Sequence, residues 1–259
     1  MGRCRRRVPL ADPQRKKVTG GSRLREGCGK DLKRRALFEV FRSRFRRTVA
    51  LPRTAFTMNN RLPGFFQGTE MPNAGWWEAL WPDPGGVLAA VGMQSAMEVV
   101  DLCSGDGWFT LQIAKRVRHV IAIDIDAALL ELARHRLSER GVANCDLIAA
   151  DAYDVATLVP HPVDFVFLAN AFHGVPDQPR LARAVRAALK PAGAFAIVNW
   201  HQRPREETKV LAEPRGPKTE LRMSPQQTIA AVEPGDLKLV RCVELPPYHY
   251  GAMFRPSDS

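Results

Sequence analysis

Asp101, Asp124, Asp151 and Asn170 are the residues whose types and places could do chemistry, because each ends or follows a short apolar run. The first run, Met97 to Leu102, has Val99 and Val100 at its centre and reads as a buried strand. It stops at Ser104-Gly105-Asp106-Gly107, and then Phe109, Ile113 and Val117 recur at the four-residue spacing of one helix face. In a strand–glycine turn–helix unit the backbone can approach a ligand closely, and the free N–H groups of the helix start point at it. A second apolar run, His119 to Ile123, ends in Asp124, 19 residues after Gly105. An acidic residue roughly 20 positions beyond such a turn reaches ribose hydroxyls in nucleoside-binding folds.

The turn separates two cofactor classes. A dinucleotide fingerprint needs a third glycine three positions after the second. That position is Thr110 here, and Trp108 follows Gly107 directly, which crowds the place of a pyrophosphate. The segment Asp101 to Gly107 instead resembles motif I of the class I S-adenosylmethionine-dependent methyltransferases, D-x-x-x-G-x-G. The family often has glycine two residues after the aspartate; this chain has Cys103. The resemblance covers about residues 76–256 and includes Asp124, Asp151 and the stretch ANAFHGVPD after the fourth strand. That stretch is similar to the small-molecule branch typified by ubiquinone and menaquinone biosynthesis methyltransferases. These show an asparagine followed by a histidine pair, and Gly174 stands for the second histidine here. LKPAG before the fifth strand matches their usual LKPGG, with Ala192 for the first glycine.

The resemblance implies S-adenosylmethionine as cofactor and assigns its site. Ser104, Gly105 and Gly107 form the turn under the methionine moiety, and Asp101 reaches the amino group directly or through water. Asp124 binds the ribose hydroxyls and Asp151 the adenine amino group. Ile125 and Ala152 sandwich the adenine, and Asn170 lies at the carboxyl end of strand four, where open α/β sheets bind ligands. Asp101 and Asp151 have a plainer alternative as helix or turn caps. His173 is the candidate base, with an ordinary pKa near 6.5; a loop histidine bonded to backbone is the plainer reading. Trp76, Trp77 and Trp81 either pack their segment onto the domain or cover the pocket. Trp200 and His201 emerge after strand five, and Tyr248, His249 and Tyr250 from the last link; these line the acceptor pocket or simply pack. Arg203, Arg205, Arg215, Lys218 and Arg222 crowd residues 201–223 and favour an anionic acceptor or form a solvated loop paired with Glu206, Glu207, Glu213 and Glu220.

The elements that must position these residues alternate. Pro82 and Pro84 break the tryptophan helix, and Val87–Val91 forms a short one. Asp126 caps a helix from Ala127 to Arg140, with Leu129, Leu130, Ala133 and Leu137 inward, and Gly141 ends it. Cys145–Ala149 is strand three and Val163–Ala169 strand four, a continuous apolar run of the kind covered on both faces. Leu181, Val185 and Leu189 mark a helix that Pro191 and Gly193 terminate, and Ala194–Trp200 is strand five. Ser224-Pro225-Gln226-Gln227 is a capping box. Leu237–Leu245 and Tyr250–Phe254 are the last strands, joined by a link short enough for an antiparallel pair. The fold expected is α/β: Rossmann-like and doubly wound, a mostly parallel seven-stranded sheet with an antiparallel last strand.

Charge is unevenly spread. Residues 1–57 hold 18 of the 38 lysines and arginines but 4 of the 27 aspartates and glutamates, a net of +14 against −3 for the remainder. The expected organisation is a basic, disordered extension over 1–57 and a methyltransferase domain over 58–259. The extension is open to reading as an arm for nucleic acid or membrane, a targeting peptide, or an upstream segment before a start at Met58. The near-neutral core gives no sign of a nucleic-acid surface. No apolar run approaches the ~18 residues of a membrane span. Five cysteines, odd in number and without a C-x-x-C pair, read as reduced thiols in a cytoplasmic protein with no metal site. The reading is methyl transfer to a small-molecule acceptor. Its rivals are an RNA methyltransferase using the basic arm, against which stands the lack of a (D/N)PPY box, and a non-catalytic nucleotide-binding module. Oligomeric state is left open.

Overall fold

The computed structural model describes residues 74–257; the expected extension over 1–57 and the boundary at Met58 lie outside the described residues. The chain enters through two short helices, α1 (Ala74–Leu80) and α2 (Pro84–Ala90). The tryptophan helix ends at Leu80, before Pro82 and Pro84, as expected; Pro84 then begins α2, because proline at the first helical position loses no needed N–H, and the Asp83 carboxylate accepts from the Gly86 amide. There follow β1 (Glu98–Leu102), α3 (Trp108–Ala114), β2 (His119–Asp124), α4 (Ala127–Glu139), β3 (Cys145–Ala149), α5 (Val155–Leu158), β4 (Val163–Ala169), α6 (Gln178–Ala188) and β5 (Leu189–Trp200). A short two-stranded hairpin, Lys209–Val210 with Glu213–Pro214, precedes α7 (Pro225–Val232), β6 (Leu237–Leu245) and β7 (His249–Pro256).

The seven strands lie in the order β3-β2-β1-β4-β5-β7-β6. All neighbours pair in parallel except those of β7, which runs antiparallel to both β5 and β6. This is the mostly parallel, doubly wound sheet with an antiparallel last strand that the sequence pattern predicts. The order reverses between β1 and β4, so a crevice opens outside their carboxyl ends.

Strand alternation assigns the two faces. Val99, Phe165, Phe167, Ala196, Val198 and Trp200 face α1–α3 and meet Trp77, Leu80, Leu88, Phe109 and Ile113. Val100, Val166, Leu168, Phe195, Ile197, Tyr250 and Phe254 face Leu181 and Val185 of α6 and Val232 of α7. β1 is buried along its whole length, whereas β3, at the edge, is only half-buried.

Two boundaries differ from expectation. Helix α6 ends at Ala188, and Leu189, Pro191 and Gly193 already belong to β5, whose register with β4 slips between Val163 and Phe165. A bulge tolerates proline because the missing N–H is not needed there, so Pro191 ends the helix without excluding a strand. Val117 is buried but lies beyond α3. The Asp126 cap forms as expected, its Oδ1 accepting from the Ala128 and Leu129 amides at 2.8 and 3.3 Å. Leu130, Ala133 and Leu137 turn inward, and Gly141 takes a left-handed φ of 65°. The capping box at Ser224 is complete. Among the described residues no helix is long and apolar enough to cross a membrane.

Candidate functional site

The glycine turn between β1 and α3 is held from below by Asp124. The Gly105 amide donates to Asp124 Oδ2 at 2.7 Å, and the Asp126 amide donates to its Oδ1 at 2.9 Å. The Ser104 amide donates to Ile123 O, and that of Gly107 to Ser104 O, both at 3.1 Å. The residue between the glycines, Asp106, turns away: Arg136 of α4 donates to it at 2.6 Å. Gly107 needs to be glycine twice over, since its φ is 76° and a Cβ there would stand 2.6 Å from that of Ala133. The Ser104 hydroxyl is buried and has no hydrogen-bond partner among the described residues.

Three carboxylates stand along this side. Asp101 is buried near the carboxyl end of β1, accepts from the Thr110 hydroxyl at 2.6 Å, and has its pKa pushed up to about 7 by desolvation, against the Thr110 hydrogen bond, with Asp124 adding to the rise. Thr110 entered the sequence argument only as a missing glycine; it is Asp101's partner. Burial also raises the pKa of Asp124, although three backbone amides oppose the shift. Asp151 is exposed and accepts from the Tyr153 amide at 2.9 Å, the turn-capping geometry that was its plainer reading. Ile125 is exposed at 40%, large for an aliphatic side chain, and Ala152 is half-buried. Burial, helped by the neighbouring aspartates, pushes the Cys103 thiol far up, so it stays protonated.

The β4–β5–β7 side of the edge is aromatic. Trp77 stacks on Trp108 with centroids 5.7 Å apart, and Trp81 packs against Phe109 at 5.9 Å and the His249 ring at 4.4 Å. Trp200 lies 4.1 Å from the same ring and stacks on Tyr248 at 6.0 Å. Burial puts all three predicted tryptophans in the core. Asn170 follows β4 with a left-handed φ of 60°, and its Oδ1 accepts from His249 Nε2 at 3.0 Å. With Nε2 carrying the proton, Nδ1 of His249 holds the lone pair. That Nδ1, the Asn170 Nδ2 and the indole N–H groups of Trp77 and Trp81 are buried without partners among the described residues. Desolvation lowers the His249 pKa well below 6.5, so the ring is neutral.

Three predicted residues are placed differently. His173 is buried in a short turn after β4, its Nδ1 bonded to Asn199 Oδ1 at 3.0 Å, and desolvation lowers its pKa to about 4. An ordinary pKa near 6.5 is thereby overturned. Tyr250 lies on the opposite sheet face from the tryptophans, with its hydroxyl against Thr228 Oγ1 at 2.6 Å. Strand alternation separates it from its neighbour His249. His201 faces the same way, its Nε2 donating to Glu244 Oε2 at 2.8 Å and its ring 5.1 Å from Tyr250.

Fold order, glycine turn and the acids after successive strands together define a Rossmann-like α/β domain with its cleft at the carboxyl edge of the sheet. Residues 99–193 match the family described as a methyltransferase domain. A tRNA 5-carboxymethoxyuridine methyltransferase of Escherichia coli (strain K12) is 29% identical over 123 residues, 47% of either chain. A ubiquinone/menaquinone biosynthesis C-methyltransferase of Idiomarina loihiensis is 29% identical over 113 residues, 42% of this chain and 45% of that one. The matched region thus spans a little under half of each relative's length. The crystal structure of a SAM dependent methyltransferase from Aquifex aeolicus has the same fold, with TM-score 0.60 and 23% identity over 70% of this chain and 93% of the other. Over these residues the chain is similar to class I S-adenosylmethionine-dependent methyltransferases, the class whose cofactor is S-adenosylmethionine.

Proposed function

We propose that the protein transfers the methyl group of S-adenosylmethionine to a small-molecule acceptor. The observation that carries this reading is the turn at Ser104–Gly107, clamped by Asp124 with the Ser104 hydroxyl buried and unpartnered beside it. The residues present fit the cofactor. An ionised carboxylate has about four lone-pair sites, so Asp124 keeps acceptor capacity for ribose hydroxyls after its backbone bonds. Ile125 and Ala152 offer an apolar platform for adenine, and Asp151 an exposed acceptor for its amino group. Ser104, Gly105 and Gly107 flank the methionine end, where Asp101 takes the amino group.

When bound, the cofactor supplies a methyl on a sulfonium: an acceptor lone pair bonds the carbon as the carbon–sulfur bond breaks, its electrons stay on sulfur, and the acceptor's proton is released. The chain's task is alignment and exclusion of water. Trp77, Trp81 and Trp200 enclose the acceptor side, and Asn170, at the end of β4, stands between the two halves. His249 Nδ1 offers a neutral acceptor to a hydroxyl proton. His173, with its pKa near 4, serves in this reading to hold Asn199 and takes up a proton only transiently. The domain is proposed to run from residue 58 to 259, behind a basic extension over 1–57. The unbridged thiols of Cys103, Cys145 and Cys242 support a cytoplasmic setting.

Two measurements test this. Calorimetry should give saturable binding of S-adenosylmethionine and none of NAD; binding of NAD alone overturns the reading. Labelled methyl should pass into small molecules of a cell extract. Label in RNA favours the nucleic-acid alternative, and binding without any transfer favours a non-catalytic module.

A further inference from the structure

Arg222 is only 2% exposed, yet among the described residues no carboxylate touches it. Its Nε donates to Pro217 O at 3.1 Å, and its Nη2 to Thr208 Oγ1 at 2.8 Å and Arg215 O at 2.9 Å. A guanidinium carries five N–H donors and does not give up its charge in proteins. Those on Nη1 are buried and have no partner among the described residues. The segment's own carboxylates do not compensate: among the described residues, Glu206, Glu207, Glu213 and Glu220 form no ion pair, and Glu206 acts on Arg222 only through space. The expectation of a solvated loop with paired charges fails for this arginine. A charge removed from water without an opposite charge is one of the most unfavourable arrangements a fold can contain.

The segment is shaped to keep the charge where it is. Thr208 is fully buried, and its hydroxyl bridges the carbonyls of Arg205 and Arg215. Arg205 donates through Nε to Gly216 O at 3.1 Å. A Cβ on Gly216 would stand 2.8 Å from the Trp200 ring, so only glycine lets this backbone lie against the indole. The Arg222 guanidinium rests 5.1 Å from the centre of that ring. Trp200 ends β5 and touches His249, which is bonded to Asn170 at the end of β4. The cation also lowers the pKa of both His173 and His249. It therefore stands at the edge where the acceptor is proposed to bind.

We infer that Arg222 is the anion-binding residue of the acceptor site, and that the acceptor is a small molecule bearing a carboxylate. This rests on the methyl transfer proposed above and narrows its substrate class. Nη1 offers two N–H groups to carboxylate oxygens, a charge-assisted arrangement. A phosphate dianion is a poorer match: the neighbouring Arg205 already spends its Nε on Gly216.

In the test, the full chain is incubated with radiolabelled S-adenosylmethionine and a small-molecule cell extract separated into anionic, neutral and cationic fractions, with an RNA sample in parallel. Label is expected from the anionic fraction alone. It should survive alkaline phosphatase and disappear once carbodiimide and methylamine have turned carboxylates into amides. Label from a neutral or cationic fraction, label in RNA, loss on phosphatase treatment, or no label despite calorimetric binding of S-adenosylmethionine each overturns the inference. Failure of S-adenosylmethionine to bind overturns the underlying methyl transfer instead. In a second arm, Arg222→Lys keeps the charge and loses the fork. It should lower acceptor kcat/KM by roughly 30-fold or more while the cofactor Kd stays unchanged. An unchanged kcat/KM in a folded variant overturns the inference.

Discussion

The two halves of the sheet's carboxyl edge hold their polar groups differently. On the β1–β3 side the acids are bonded largely to the chain's own backbone. Asp124 takes amides from Gly105 and Asp126, Asp126 those of Ala128 and Leu129, and Asp151 that of Tyr153. On the β4–β5–β7 side aromatic rings fill the space, and the polar atoms among them, Asn170 Nδ2, His249 Nδ1 and Arg222 Nη1, have no partner among the described residues. The first arrangement fixes a shape with main-chain bonds. The second places unsatisfied groups on a rigid apolar frame, where the penalty for an unmatched ligand is greatest. One half suits a constant ligand, and the other suits discrimination.

The largest test of that contrast is Trp81→Ala. This indole is 1% exposed, so its removal should cost about 3–5 kcal/mol of stability in denaturant unfolding, with little change in cofactor affinity. A variant as stable as the parent would mean that the tryptophans are a cover and not a frame. Next comes Asp124→Ala, which removes the clamp on the turn. Calorimetry should register a loss of about 2–4 kcal/mol in S-adenosylmethionine affinity, roughly 30- to 1000-fold. Equal binding by this variant would leave the backbone of the turn as sole determinant.

Acidity sharpens the comparison further. The Asp101 pKa rises from 3.8 to about 7 on folding, so the folded chain prefers its protonated form. This group's contribution to stability is complete below pH 3.8 and is lost as pH rises through about 7. Cofactor binding runs the other way, since a cationic amino group favours the carboxylate. Affinity should fall about tenfold per pH unit below 7, with proton release on binding near neutrality, and Asp101→Asn should flatten the profile. A flat profile in the parent chain would remove Asp101 from the amino-group site. The smallest effect belongs to Asp126→Ala, which should cost about 1 kcal/mol of stability and little affinity. A large affinity loss there would shift the ribose site by two residues.

The β1–β3 half was legible because its determinants are local. Asp101 to Gly107 is one stretch, and Asp124 and Asp151 each close a run whose pattern marks a buried strand. The strand order follows from the same alternation. What the sequence did not disclose depends on distant pairs. Asp101 meets Thr110 across the turn, His249 meets Asn170 over 79 positions, and Arg222 meets Thr208 over 14. No period or spacing marks such contacts. His173 illustrates the limit most directly: its residue type suggested a base, but burial beside Asn199 makes it a neutral, hydrogen-bonded side chain. Tyr250 and His201 fell on the wrong face because only the β5–β7 register decides which neighbours reach the tryptophans.

The position of β7 has a consequence for how the chain is made. Strand β6 leaves the ribosome first but has no place in the sheet until β7 arrives, because β7 separates it from β5. Until then the β5 edge, with Phe195, Ile197 and Val198 beside it, offers unpaired N–H and C=O groups on a strongly apolar strand. While β7 is unplaced, the five-stranded part of the sheet would present a sticky edge. During that interval another chain's strand could take the seat of β7, and prompt delivery of residues 249–256 guards against it.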